Sequence, residues 1–197
     1  MSKTEFTPRQ IEIMEAATQR IDKHGIQNLT IKTLAADINL SEPALYRHFA
    51  GKNEILLGLL EYFKIEMKER FSRISFKETD SAGDQLRTLF RSQLATFAEK
   101  PAIVSVIFAE SIFHFDKSLS NKVSEIIAFM QDTVKDNIKK GQEERQYSTL
   151  INSGTMTTII TGGMRMAVMK WKLSGNKSSV VKDGMKVLNG ILKMIEK

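Results

Sequence analysis

Between Ser41 and Lys52 the chain reads Ser-Glu-Pro-Ala-Leu-Tyr-Arg-His-Phe-Ala-Gly-Lys. This short run holds a hydroxyl, a carboxylate, a phenol, a guanidinium, an imidazole and an ammonium. Leu45 and Phe49 stand four residues apart, which places both on one face of a helix. The opposite face then carries Glu42, Pro43, Ala44, Tyr46, Arg47 and His48. A helix of this kind fits the major groove of a duplex, where base edges present a distinct donor and acceptor code. Arg47, and Lys32 on the preceding segment, have the chemistry to donate to guanine O6 and N7. Ala44 is short and apolar, so it suits a thymine methyl and cannot hydrogen-bond to a base. Each residue also has a plainer reading. Tyr46 also fits a half-buried structural aromatic, His48 a satisfied histidine and Arg47 a solvated surface residue. Glu42 also fits a carboxylate that favours a helix N-terminus.

Other chemistries are excluded or unsupported. The 197-residue chain contains no cysteine, so disulfides, thiolate ligands and thiol nucleophiles are ruled out. His24, His48 and His114 form no HxxxH or HExxH pair, and neither a P-loop nor a G-x-S-x-G elbow occurs. The expectation is a chain that is not an enzyme and holds no metal and no cofactor. The N-terminus lacks an apolar signal core and no apolar run approaches a membrane span, so a cytoplasmic protein with no membrane partner is expected. The net charge of +6 invites a nucleic-acid reading, but its distribution does not support one. Residues 1–70 hold ten Lys/Arg and ten Asp/Glu. Residues 165–197 hold eight Lys/Arg against Asp183 and Glu196, which accounts for the whole excess. That basic end fits a solvated face as well as a polyanion contact.

The elements that must hold these residues are helices. Apolar residues recur at steps of three and four almost throughout, and no long alternating run suggests a strand, so the class is all-α. About nine to ten helices are expected. The first spans Pro8 to His24, with Ile13, Met14, Ala17 and Ile21 inward and Gly25 as its stop. A short second helix follows Thr30 as N-cap. Asn39 occupies a tight turn and Ser41 caps a third helix that Gly51 breaks. Lys52 opens a long helix to about Ile74, and a polar break covers 75–84. Further helices are expected near 82–98, 101–115, 118–140 (ended by Gly141), 148–173 and 177–196. The domains read as 1–52, with a helix-turn-helix near 30–49, a connecting helix 53–74, and a helical domain 75–197.

Two short helices after a longer one describe a homeodomain-like helix-turn-helix. The stretch from Ile13 to Leu56 goes further and resembles the DNA-binding domain of the TetR/AcrR family of transcriptional regulators. The resemblance rests on Ala16-Ala17, Gly25, Thr30, Leu34-Ala35, Ser41, Leu45-Tyr46, Phe49, Lys52 and Ile55-Leu56, in order and without a gap. Asn39 in place of a glycine, Ala50 in place of a proline, and Leu29 are departures. The resemblance implies phosphate contacts at Thr30, Tyr46, His48 and Lys52, with Ser41 capping the recognition helix. It implies that Lys32, Glu42, Pro43, Ala44 and Arg47 face bases or the groove. It also implies a homodimer on a palindromic operator of double-stranded DNA, nucleoid-associated when bound, and most often a repressor released by a small effector.

For the dimer, the helices near 118–140 and 148–173 offer Val123, Ile127, Met130 and Val134, and Gly154, Thr158, Gly162 and Met166. For an apolar or amphipathic effector, candidate walls are Phe90, Phe97, Phe108, Phe113, Met130 and Met164, and candidate polar anchors are Glu110, His114 and Arg165. Methionines and aromatics at this spacing suit a core as well as a pocket. A second reading keeps the DNA-binding domain and gives the second domain a protein partner. The stretch from Lys100 to Val134 bears a likeness to the nucleoid-occlusion factors of this family, which bind DNA and restrain division-ring assembly.

Overall fold

The computed structural model describes residues 6–108 and 116–197. Among these the chain is all-α: nine helices, no strand, and one isolated bridge between Tyr147 and Glu196. The helices are α1 (Pro8–His24), α2 (Ile31–Asp37), α3 (Glu42–Tyr46), α4 (Lys52–Ser72), α5 (Ala82–Glu99), α6 (Pro101–Ile107), α7 (Lys117–Glu143), α8 (Ser153–Leu173) and α9 (Val180–Ile195). By internal contacts they form two units. One joins Met1–Ile65 with Lys100–Val123, and the other joins Glu66–Glu99 with Ser124–Lys197. No described helix is long and apolar enough to cross a membrane.

In the first unit, α1 begins on a reciprocal capping box between Thr7 and Gln10 and stops at Gly25, whose φ of 79° suits glycine. Its inner face, Ile13, Met14, Ala17 and Ile21, is buried as the periodicity requires. Leu34 and Ala35 of α2, Leu45 and Phe49 at α3, and Ile55, Leu56, Leu59 and Leu60 of α4 complete the core. Gly58 is part of that fit, because a Cβ there would come within 3.1 Å of Met14 Sδ and 3.2 Å of a Phe49 ring carbon.

In the second unit, α9 packs on α5 and α8. Arg87 on α5 reaches Asn189 Oδ1 at 3.0 Å and Glu196 Oε1 at 2.9 Å. Gly184 lets α9 approach α5, where an added Cβ would meet Leu94 at 2.7 Å.

Several sequence expectations shift. Gly141 does not end a helix: α7 continues to Glu143, and the left-handed residue after it is Arg145, at φ 60°. Gly141 instead admits Tyr147, since a Cβ there would sit 2.3 Å from that ring. Tyr147 is fully buried, its hydroxyl donating to Asn137 Oδ1 at 3.4 Å. The helix expected from 148 starts at Ser153, because Asn152 supplies the N-cap and Gln142 Nε2 holds the carbonyls of Ser148 and Ile151 in a loop. The helix expected from 177 starts at Val180, after the Ser179 cap. The helix expected over 101–115 is described as far as Ile107, with Phe108 as its C-cap. The third helix ends at Tyr46, before Gly51.

Candidate nucleic-acid interface

The α2–turn–α3 unit is built from local signals. Thr30 Oγ1 accepts from Thr33 N at 3.1 Å, and Thr33 Oγ1 accepts from Thr30 N at the same distance. Asn39 takes the left-handed conformation at φ 53°, which its short polar side chain tolerates. Leu40 N then closes on Ala35 O at 2.9 Å. Ser41 Oγ accepts from Ala44 N at 3.3 Å and starts α3, with Glu42 in the first turn where a negative charge is favoured.

Longer-range bonds hold this pair on its frame. Arg20 of α1 donates to both Asp37 carboxylate oxygens, at 2.8 and 2.7 Å, and to Asn28 O at 3.1 Å. Gln10 Nε2 donates to His48 O at 3.3 Å, tying the end of α3 to the start of α1. Glu54 accepts from Ala50 N at the start of α4. Lys52 Nζ donates to Ile26 O at 2.8 Å, which pins α4 to the turn before α2. Burial holds the Lys52 ammonium below its usual pKa. None of the ties made by Arg20, Gln10 and Lys52 is visible in sequence, because the partners lie 8 to 38 positions apart.

With Leu45 and Phe49 buried, the other face of α3 is outward. Glu42, Pro43 and Arg47 are exposed, Tyr46 is 52% exposed, and Ala44 and His48 are half-buried. Thr30, Lys32 and Ser41 are also exposed, and Lys52 is half-buried. All ten sequence-derived positions therefore lie in the first unit with at least part of their surface free. The arrangement offers cations, hydroxyls and a phenol on a rigid scaffold, as phosphate and base-edge recognition requires.

The second-domain candidates divide differently. Phe90 and Met164 are buried core, Phe97, Phe108 and Met130 are half-buried, and Arg165 is exposed. Glu110, Phe113 and His114 lie outside the described residues. Of the dimer candidates, Val123 and Val134 are buried within the chain itself, so they present no surface to a second copy. Ile127, Met130 and Gly154 are half-buried, and Thr158, Gly162 and Met166 are exposed.

Fold and surface together define a helix-turn-helix protein. Residues 13–59 match the family model described as bacterial regulatory proteins, tetR family. These residues form a DNA-binding domain of the tetR type, and the likeness to the family is carried by that domain. The nucleoid occlusion factor SlmA of Photobacterium profundum is 28% identical over 127 residues, 64% of this chain and 64% of that protein. The chain thus spans just under two thirds of that relative's length. A TetR transcription regulator from Haloarcula marismortui has the same fold, with a TM-score of 0.82 at 17% identity over 98% of this chain and 100% of that one. So does FadR from Bacillus subtilis, solved with stearoyl-CoA, with a TM-score of 0.74 at 17% identity over 92% and 97%. The family and these neighbours are regulators rather than enzymes.

Proposed function

We propose that the chain is a cytoplasmic, homodimeric repressor that binds a palindromic operator and is released by a small apolar or amphipathic effector. The observation that carries the DNA-binding part is the outward face of α3, with Tyr46 and Arg47 exposed on a helix whose other face is locked by Leu45 and Phe49. In this reading Thr30, Tyr46, His48 and Lys52 meet phosphates, and Lys32, Glu42, Pro43, Ala44 and Arg47 meet the groove. Segment 1–52 binds DNA, 53–74 connects, and 75–197 dimerises and receives the effector. Support for the dimer comes from apolar side chains left on the outside of α8 and α9: Ile159, Met166, Met169 and Leu173, and Val187 and Met194. Support for an effector comes from the neighbour solved with stearoyl-CoA.

The test is selection of bound duplexes from a random library, at stated salt because phosphate contacts make affinity salt-dependent. The expected result is a palindrome with half-sites roughly 34–36 Å apart, one helical turn or a multiple of it. A folded dimer that enriches no sequence overturns the operator reading.

One observation favours a second reading. The likeness to the nucleoid occlusion factor extends over 127 residues, well beyond the 47 matched by the DNA-binding model, so it includes part of the second domain. In that reading the second domain binds a protein partner while the first holds DNA. Joint binding of DNA and a division protein, with no change in DNA affinity on adding small amphiphiles, would favour it.

A further inference from the structure

Arg70 lies in the last turn of α4, within the second unit. One of its Nη2 hydrogens goes to Gln93 Oε1 of α5, at 2.5 Å. Gln93 is itself only 6% exposed. The Arg70 Nε is shut off from solvent and has no acceptor. Among the described residues no carboxylate is in ion-pair contact with this guanidinium. Glu66 and Glu99 act on it only through space, favouring the charged form against the burial that pulls its pKa down. A neutral amide oxygen does not neutralise a cation, and a guanidinium is a planar fork that matches a carboxylate in two-point contact. Leaving such a group partly desolvated without a counter-ion is costly.

The surroundings are aromatic. The guanidinium carbon lies 5.4 Å from the centre of the Phe71 ring. Phe71 packs on Phe129 of α7 with ring centres 6.1 Å apart. A cation with unspent donors, beside the Phe71 ring, has the chemistry of a head-group subsite for an amphiphile.

We propose that Arg70, positioned by Gln93, is an anion-binding subsite that takes the carboxylate head of an amphipathic effector. The proposal rests on the effector-responsive reading above and names the class of molecule that reading left open. It assigns the polar anchor to α4 and α5, where the sequence pointed to Glu110, His114 and Arg165.

The experiment is calorimetric titration of the 197-residue chain with decanoate, decanol and decyltrimethylammonium, each below its micelle threshold, together with release of the selected duplex by each. Decanoate should bind at least tenfold tighter than decanol, and the cationic amphiphile more weakly than either. Arg70→Met should bind decanoate and decanol alike, while Arg70→Lys, which keeps the charge without the fork, should retain part of the preference. If Arg70→Met fails to fold, Arg70→Gln gives the same readout with the stem and a polar end preserved. Equal affinity for decanoate and decanol, an undiminished preference in the neutral variant, or no binding of decanoate overturns the subsite. Arg70-dependent binding of decanoate that leaves duplex affinity unchanged keeps the subsite and removes the effector reading. Equal release by decanol and decanoate keeps the effector reading and removes the subsite.

Discussion

Tyr46 and Arg47 are neighbours in sequence with different expected work. A phenol on a phosphate fixes position without reading sequence, whereas a guanidinium on a guanine edge reads one base. Tyr46→Ala should therefore weaken binding about equally on all duplexes. Arg47→Ala should relax preference at one operator position, at a cost of about 1–3 kcal/mol. Repeating the duplex selection with each variant checks both, and unchanged preference in Arg47→Ala removes its base-reading role. Lys52 is a mixed case. Its bond to Ile26 O means that Lys52→Ala should lower thermal stability as well as DNA affinity. A net loss of about 1–2 kcal/mol is expected for a hydrogen bond to a charged donor that is partly solvated. Tyr46, at 52% exposure, should show no comparable thermal loss. The types and order of these residues were legible from the sequence, but the second duty of Lys52 was not, since Ile26 lies 26 positions away.

Helices carry two further predictions. The stretch of α7 around Gly141 touches the Tyr147 ring so closely that Gly141→Ala puts a methyl where ring carbons now stand. Ring and helix must separate, and overpacking of this kind costs about 1–3 kcal/mol. A fall in the thermal or urea midpoint tests it, and an unchanged midpoint shows that the loop yields freely. In the first unit, Glu61 of α4 accepts from Lys122 of α7 at 2.5 Å and pairs with Lys64 at 3.0 Å. Burial pushes this carboxyl up, but the bonds and charges of Lys122 and Lys64 outweigh it, so its pKa falls below the ordinary 4.5. A carboxyl depressed on folding adds stability above its unfolded pKa and loses it as pH drops through the folded one. Stability should therefore fall on acidification from about pH 5 downward, and Glu61→Gln should flatten that part of the profile. Matching acid limbs for wild type and Glu61→Gln would show that this pair contributes nothing.

The molecule as an assembly depends on what α8 and α9 leave outside. On α8, Ile159, Met166 and Leu173 repeat every seven residues, with Gly162 and Met169 between them, and all five are exposed. On α9, Val187, Gly190 and Met194 are exposed in the same way. Leu173 and Met194 are 77% and 73% exposed, and such side chains mark an interface when they align on neighbouring helices. If the proposed dimer forms through this face, Met166→Glu with Leu173→Glu should give a folded monomer by sedimentation and abolish tight binding to a full palindrome. Half-site binding should remain weak but measurable. A dimer that survives both charges places the interface elsewhere.

Much of the architecture followed from short-range physics. The bounds of α1, the caps at Thr30 and Ser41, the strained turn at Asn39 and the outward face of α3 each depend on residues within about one helical turn, and spacing alone reveals them. Gly141 misled because a helix glycine reads the same whether it stops the helix or admits a neighbour, and Tyr147 arrives only after the chain has reversed. Val123 and Val134 read as dimer residues because a helical stripe shows which side is apolar but not which partner covers it. The unpaired guanidinium of Arg70 was invisible for the same reason. Its environment is set by Gln93, Phe71 and Phe129, on three helices whose meeting is a property of packing rather than of any local run of sequence.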